Sequence, residues 1–382
     1  MKRTVYNEDH EAFRKTIREF IAREVVPVFP EWEKQGCVPR EFHHKFGALG
    51  ISGFDIPEEY GGAGEVSYRY NAIITEEVFA AGVNFGNWNM STGIILPYLL
   101  DLANEEQRRR WLPGIAAGDQ LAIAMTEPGA GSDLAGITTS ARREGEYYVL
   151  NGAKTFISNS SVATLMIVVC RTSAPSAEDR RTGLTLLVMD TSSEGFQVHR
   201  RLEKIGLKTS DTCEISFTEV KIPVENLLGE EGQAFGYLGR NLPRERLGLA
   251  VQTCAQAAAA IDFARDYVRH REIFGKSVAS FQNTKFVLAE CATEQAAAQA
   301  LVDKAVELED AGELTPADAA MAKVFCTEMA GRVIDKCLQL HGGYGYVLEY
   351  PIARLYADTR ISRIVGGTSE VMKTIIAKSM GL

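Results

Sequence analysis

The chain has no excess of basic residues, no paired-cysteine motif and no apolar run of membrane-spanning length, and each absence excludes something. Its 41 Lys and Arg stand against 50 Asp and Glu, a net charge of −9. A general nucleic-acid binder would show a basic excess or patch, so that class is not expected. Seven cysteines (Cys37, Cys170, Cys213, Cys254, Cys291, Cys326 and Cys337) are scattered without a C-x-x-C pair, as free buried thiols in a reducing compartment would be. The six histidines include no H-E-x-x-H, and the adjacent His43 and His44 lack the helical spacing of paired ligands, so no metal site is expected. No apolar stretch approaches the roughly 20 residues that span a bilayer. The first residues mix Glu8, Asp9 and Glu11 with Phe13, Ile17, Phe20, Ile21 and Val25 at helical spacing. That pattern predicts a folded amphipathic helix rather than a signal or transit peptide, and a cytoplasmic protein without a membrane span.

What is present has three textures. A chain of 382 residues is too long for one compact core and suits two or three domains. Residues 1–118 read as helices, including 68–80 and 105–117, broken by Gly61-Gly62-Ala63-Gly64. Residues 119–230 read as short strands, with β-rich runs at 147–150, 165–169 and 184–188 bounded by turn residues. Residues 231–382 return to long helical patterns, and Thr315-Pro316 is a helix start with a capping hydroxyl and proline at the first helical position. The expectation is therefore a mainly α chain with a middle β domain. Regular β-α alternation is absent, which disfavours a doubly wound nucleotide fold. The glycine-rich pieces agree: Gly275-Lys276-Ser277 has His270 where a phosphate loop needs its first glycine, and Gly342-Gly343-Tyr344-Gly345 is not G-x-G-x-x-G.

The run Met125-Thr126-Glu127-Pro128-Gly129-Ala130-Gly131-Ser132-Asp133 follows the strand-like Leu121-Ala122-Ile123-Ala124. Proline and glycines keep it off a helical path, and its small residues would let backbone N–H groups approach a flat or anionic ligand. Taken alone, an ordinary polar turn explains it as well. The run resembles the flavin-binding signature of the acyl-CoA dehydrogenase family, and further matches follow in that family's order across essentially the whole chain. Lys154-Thr155-Phe156-Ile157-Ser158-Asn159 resembles the strand backing the flavin ring, with Phe156 and Ile157 as its apolar face and Ser158 as a small polar neighbour. Arg271-Glu272-Ile273-Phe274-Gly275 with Gln282 resembles the segment that reaches the flavin nucleotide's diphosphate from a neighbouring subunit. An arginine suits that role by pairing with two oxygens at once. Gln339-Leu340-His341-Gly342-Gly343 resembles a second inter-subunit contact, in which His341 is structural.

The resemblance implies a helical N-domain, a β-barrel-like middle domain and a C-terminal four-helix bundle. It implies FAD bound by Ile123, Met125, Thr126, Gly131, Ser132, Phe156, Ile157, Ser158, Arg271, Phe274, Gln282, Gln339, Gly342, Gly343, Thr368 and Glu370. It further implies a homotetramer built from dimers, with an acyl-CoA or acyl-carrier-protein substrate in fatty-acid oxidation. An electron-transfer flavoprotein is the implied acceptor.

Ile364-Val365-Gly366-Gly367-Thr368-Ser369-Glu370 resembles the family's catalytic turn, yet many members carry the proton-abstracting Glu at the position of Gly366. Leu242-Pro243-Arg244-Glu245-Arg246-Leu247-Gly248-Leu249 resembles the subset, including long-chain and isovaleryl-type enzymes, whose base sits on the central helix of the C-terminal domain. By this resemblance Glu245 takes the α-proton, a β-hydride passes to flavin N5, and the Gly366 backbone N–H holds the thioester carbonyl. Ser132, Pro243, Arg246 and Gly367 would lie along the thioester and pantetheine arm, Arg246 either fixing the arm or orienting Glu245. Gly248, one turn from Glu245, would leave room for substrate, and residues 88–97 would line the tail pocket. Without the resemblance, the favoured reading of Glu245 is a pair with a surface Lys or Arg; Gly366 and this motif together reverse it. A branched-chain substrate, an oxidase and a catalytically silent flavoprotein remain as alternatives.

Overall fold

A computed structural model describes residues 2–382. The N-terminal part holds six helices: α1 (Glu8–Phe20), α2 (Phe29–Gln35), α3 (Arg40–Gly47), α4 (Tyr68–Ala80), α5 (Leu96–Leu102) and α6 (Glu105–Ala116). Local chemistry sets their starts. Asn7 and Asn104 each accept from the backbone three residues on, and His10 and Gln107 return the bond, closing capping boxes on α1 and α6. Ile17, Phe20, Phe42, Phe46, Phe85 and Trp88 build an aromatic-rich core among the first helices.

Eight strands follow: β1 (Leu121–Ala124), β2 (Ser140–Glu144), β3 (Tyr147–Ser158), β4 (Leu165–Arg171), β5 (Leu184–Asp190), β6 (Phe196–Arg201), β7 (Thr212–Pro223) and β8 (Leu227–Leu228). They run in the order β6-β7-β3-β2-β4-β5-β8, with β1 parallel to β4. The link from β2 to β4 is the single pair Ser140–Arg171, so the sheet bends there. Its two halves close on an interior formed by Ala122, Ala124, Leu150, Ile157, Met166, Val168, Leu187, Ile215 and Phe217. The alternate residues Leu121, Ile123, Ile167, Val169, Leu186 and Val188 face outward, against Leu96, Leu99, Trp111 and Leu112 of the helices. Side chains alternate across a strand, so coverage on both faces explains why β1, β4 and β5 read as near-continuous apolar runs.

The C-terminal part is a bundle of α7 (Ala234–His270), α8 (Gln282–Asp310) and α9 (Pro316–Leu340). Its fourth position is shared by two short helices packed on α9, namely α10 (Pro351–Thr359) and α11 (Ser369–Ser379). A two-stranded hairpin, β9 (Glu272–Ile273) and β10 (Lys276–Ser277), joins α7 to α8. Thr315 caps α9 with Pro316 in its first turn, as the sequence predicts. The most apolar window of α7 has the length and hydropathy of a membrane span, but 67% of it is buried inside the fold. Its alanines, Ala250, Ala257, Ala260 and Ala264, let α9 approach closely.

Candidate active site

The loop after β1 is built around a buried acid. Glu127 accepts from the Thr138 N–H and hydroxyl (2.8 and 2.7 Å), the Thr139 N–H (2.8 Å) and the Lys154 ammonium (3.0 Å). Burial alone would push its pKa up. Hydrogen bonds from Thr139 and Thr138 and the charge of Lys154 outweigh that and bring it down to about 2. Lys154 is wholly buried and also donates to the Met125 and Val169 carbonyls. Its own desolvation exceeds the attraction of Glu127, so its pKa is lowered. The Thr155 N–H donates to the Thr126 carbonyl (3.0 Å), tying β3 to the loop. The structure therefore sets Met125 and Thr126 of the loop against Lys154 and Thr155 of β3, next to Phe156 in the chain. Beside Gly129 and Gly131 there is open space where a Cβ would stand.

At Phe156 the register of β3 against β7 slips and φ is +59°, unusual for a bulky side chain. The ring is 65% exposed. Ile157 departs from expectation: its side chain points into the sheet interior, so Phe156 alone presents an apolar side chain there. The side chain of Ile123 is likewise packed against the helices, leaving its backbone to border the loop. Asp211 steadies the next turn, accepting from the Asn159 and Ser161 N–H groups (2.8 and 2.9 Å) and from Asn87 Nδ2 (3.1 Å).

The second half of the site lies on α7. Glu245 Oε2 is buried without a hydrogen-bond partner among the described residues. Burial pushes its carboxyl pKa up, against the smaller opposing effects of Arg246 and Lys323. The turn before α11 comes against it. Gly366 and Gly367 take φ of +65° and +93°, conformations glycine adopts without penalty. A Cβ on Gly366 would stand 3.6 Å from Glu245 Oε1 and 2.6 Å from Leu249 Cδ1. Arg246 Nε donates to the Gly366 carbonyl (3.3 Å) and Lys323 Nζ to the Gly367 carbonyl (2.7 Å). Among the described residues the Gly366 N–H has no acceptor. Thr368 caps α11 by accepting from the Val371 N–H, and Glu370 is exposed in its first turn.

Several sequence-derived residues lie elsewhere. Pro243 lines a cavity of about 380 Å³ with Asp55, Arg240, Arg244 and Glu309, and neither Glu245 nor Gly366 belongs to its walls. The space beside Gly248 is taken by the Tyr68 hydroxyl, 3.1 Å from where a Cβ would stand, and by Asn89; this glycine admits α4 rather than substrate. Of residues 88–97, Trp88 belongs to the N-terminal core, Ile95 and Leu96 are buried against the sheet, and Met90 and Ile94 are half-buried. Arg271, Phe274, Gln282, Gln339, Gly342 and Gly343 cluster at the far end of the bundle, where Arg271 lies over Tyr344 and His341 stacks on Tyr267. Arg271 caps α7, 26 residues beyond Glu245, or about 39 Å along the helix at 1.5 Å per residue. Sequence reasoning missed Lys323, Glu127, Lys154 and Asp211. Lys323 had a signal, because it interrupts the apolar stripe Ala319, Ala322, Cys326 and Ala330 of α9.

Residues 7–119, 122–220 and 232–381 match the N-terminal, middle and C-terminal domains of acyl-CoA dehydrogenase. The chain belongs to the acyl-CoA dehydrogenase family. The pig mitochondrial long-chain specific acyl-CoA dehydrogenase is 40% identical over 99% of this chain and 88% of its own length. A caffeyl-CoA reductase–Etf complex subunit of Acetobacterium woodii is 34% identical over 97% and 98%. Among solved structures, an acyl-CoA dehydrogenase of Geobacillus kaustophilus superposes with a TM-score of 0.97 at 43% identity, covering 100% of both chains. A Mycobacterium smegmatis glutaryl-CoA dehydrogenase in complex with FADH2 gives 0.90 at 26% identity, covering 98% and 95%. The protein is thus an FAD-dependent oxidoreductase acting on CH–CH bonds. Its own residues fit that cofactor: the loop leaves open space beside Gly129 and Gly131, and the exposed Phe156 on the strand tied to that loop offers an apolar face to a shallow cradle.

Proposed function

We propose that the protein removes the α-proton of a saturated acyl thioester with the Glu245 carboxylate while the β-hydride leaves, giving the trans-2-enoyl thioester. The observation carrying this reading is the 3.6 Å from the virtual Gly366 Cβ to Glu245 Oε1. A carboxylate grown from position 366 and the one on Glu245 compete for the same space, so the base has changed its point of attachment rather than vanished. FAD bound by the cradle supplies the hydride acceptor. Burial raises the pKa of Glu245 and so makes it a stronger base, as abstraction of a weakly acidic C–H proton requires. An acyl chain that displaces water from Oε1 raises it further. The Gly366 N–H is a free donor for the thioester oxygen as enolate charge develops. Arg246 holds the turn through the Gly366 carbonyl, which favours a positioning role over a grip on the pantetheine arm.

A medium or long acyl-CoA is the proposed substrate, supported by the half-buried Met90 and Ile94 and by the likeness to the long-chain enzyme of pig. We further propose a homotetramer. Arg271 is too far along α7 to meet a flavin held beside Glu245 of its own chain, and Phe274 and Tyr346, each 93% exposed, stand with Tyr344 and Leu348 as an uncovered apolar patch at that end. A second copy would bring the diphosphate-binding cluster to its partner's cradle. An electron-transfer flavoprotein is the proposed acceptor, in keeping with the Etf-associated relative. An acyl-CoA panel with a dye acceptor, repeated with acyl-carrier-protein thioesters, tests the substrate. Anaerobic flavin bleaching by a saturated acyl-CoA supports the reading, and the absence of bleaching across the panel refutes it.

A further inference from the structure

We propose that Lys323 is a positioning residue for this reaction: with Arg246 it clamps the carbonyls of the Gly366–Gly367 turn and so anchors the two peptides that follow the free Gly366 N–H. The inference rests on the reading of Glu245 and the turn given above.

Two consecutive glycines in left-handed conformations form the most pliable backbone the chain could place there. Their carbonyls are nevertheless both held by cations, Gly366 by Arg246 Nε and Gly367 by Lys323 Nζ. A peptide is planar and trans, so fixing a carbonyl fixes the opposed N–H of the next residue. The two clamps therefore orient the Gly367 and Thr368 N–H groups directly, and restrain the Gly366 N–H by anchoring the two peptides that follow it. The rest of the turn is tied to α9 as well: Glu328 accepts from the Ser369 hydroxyl (2.8 Å) and pairs with Arg363 (2.9 Å).

The choice of lysine is what calls for explanation. Lys323 is fully buried, a state almost never seen for an unpaired lysine. Among the described residues it has no carboxylate within ion-pair distance, and its hydrogen bond goes to one backbone carbonyl. A methionine would fill the same stripe of α9 without desolvating a charge. Burial, and then the charge of Arg246, lowers the lysine's pKa to about 8 against the opposing pull of Glu245, Glu328 and Glu370. It therefore remains mostly charged at neutral pH. That charge polarises the Gly367 carbonyl, which makes the N–H of the same peptide, on Thr368, a stronger donor. It also acts on Glu245, lowering the base's pKa against its burial.

These two actions give the test. Lys323→Met, Lys323→Arg and Glu245→Gln are prepared as FAD-loaded enzymes, with flavin content and Tm recorded. Anaerobic flavin reduction by an acyl-CoA is then followed across pH. In Lys323→Met the limiting reduction rate should fall by about 10- to 100-fold, the scale of a small misplacement of reacting groups, with a much smaller change in acyl-CoA affinity. Its acid limb should also move to higher pH, because a positive charge near Glu245 has been removed. Lys323→Arg keeps that charge and should keep the wild-type limb. A purely structural lysine would lower Tm or flavin content and leave the acid limb of the folded fraction in place. If Lys323→Met does not fold, Lys323→Gln carries the same expectation for the limb. An unchanged rate and limb in the neutral variant, with Glu245→Gln inert, overturns the clamp alone. Glu245→Gln as active as wild type overturns the base assignment on which the clamp rests, and the clamp with it.

Discussion

Moving the carboxylate back to the turn is the most demanding check on the idea that Glu245 and position 366 serve one substrate carbon. The perturbation is Glu245→Gly combined with Gly366→Glu. A Glu at 366 starts from a Cβ only 3.6 Å from the present Oε1 and 3.9 Å from the present Cγ of Glu245, and its carboxyl carbon lies two bonds beyond. The reach is therefore sufficient once Glu245 is gone. The structure also sets the cost. A non-glycine residue at φ of +65° carries strain of about 1–3 kcal/mol, and glycine inside α7 costs up to about 1 kcal/mol more. Leu249 Cδ1, at 2.6 Å from the new Cβ, is the tip of a flexible side chain and can turn away. The double variant should thus be less stable by about 1–4 kcal/mol yet still folded and flavin-bound. Removing the base alone should slow reduction by about 10²- to 10⁴-fold. The relocated carboxylate should restore at least about tenfold of that, near 1.4 kcal/mol of barrier. Stopped-flow anaerobic reduction by a saturated acyl-CoA measures both variants. A folded, flavin-containing double variant no faster than Glu245→Gly would refute the shared geometry.

Other consequences can be checked separately. The raised pKa of Glu245 makes the two pH responses opposite in sign. Activity should rise as pH increases through that raised value, while this group's contribution to stability falls between its unfolded and folded pKa values, where the native state binds the extra proton; parallel pH–rate and pH–Tm curves test it. Glu127 behaves the other way: its folded pKa, brought down to about 2, means its stabilisation is present above the usual carboxylate range and is lost as pH falls from about 4.5 toward about 2. Flavin release on acid titration should follow that window, and release only below it would argue against the role of Glu127. Lys154→Met strands the buried Glu127 charge and should cost about 3–5 kcal/mol, read as loss of bound FAD and a lower unfolding midpoint. Arg271→Ala should weaken flavin retention without altering the reduction rate of molecules that keep flavin; an unchanged FAD affinity would count against an inter-subunit contact.

The long elements were legible because their periodicity is strong and their ends are chemically marked. α4 spans Tyr68–Ala80 as read, and α6 ends one residue earlier than expected, at Ala116, a fraying terminus. The three β-rich runs fall within β3, β4 and β5. The proposed base came from a resemblance: glycine stands at 366 where many family members carry glutamate, and the run around Glu245 is like that of the subset with its base on the central helix. Direction was harder. Ile157 faces the sheet interior because the register shift at Phe156 resets the alternation, and no local sequence signal marks such a bulge. Gly248 was assigned to substrate, whereas α4 approaches it, because the packing partner of a glycine is a tertiary fact. Lys323 was missed for a different reason. Its neighbours are apolar at helical spacing, which flags an anomaly, but only the folded chain shows the carbonyl it serves.

The central claim is that Glu245 supplies the proton-accepting carboxylate that Gly366 lacks. Titrating the FAD-loaded Glu245→Gln variant with a saturated acyl-CoA, without oxygen, tests it most directly. The account predicts that the acyl-CoA binds and perturbs the flavin spectrum while the flavin stays oxidised. Bleaching at a rate close to that of the wild type would contradict it.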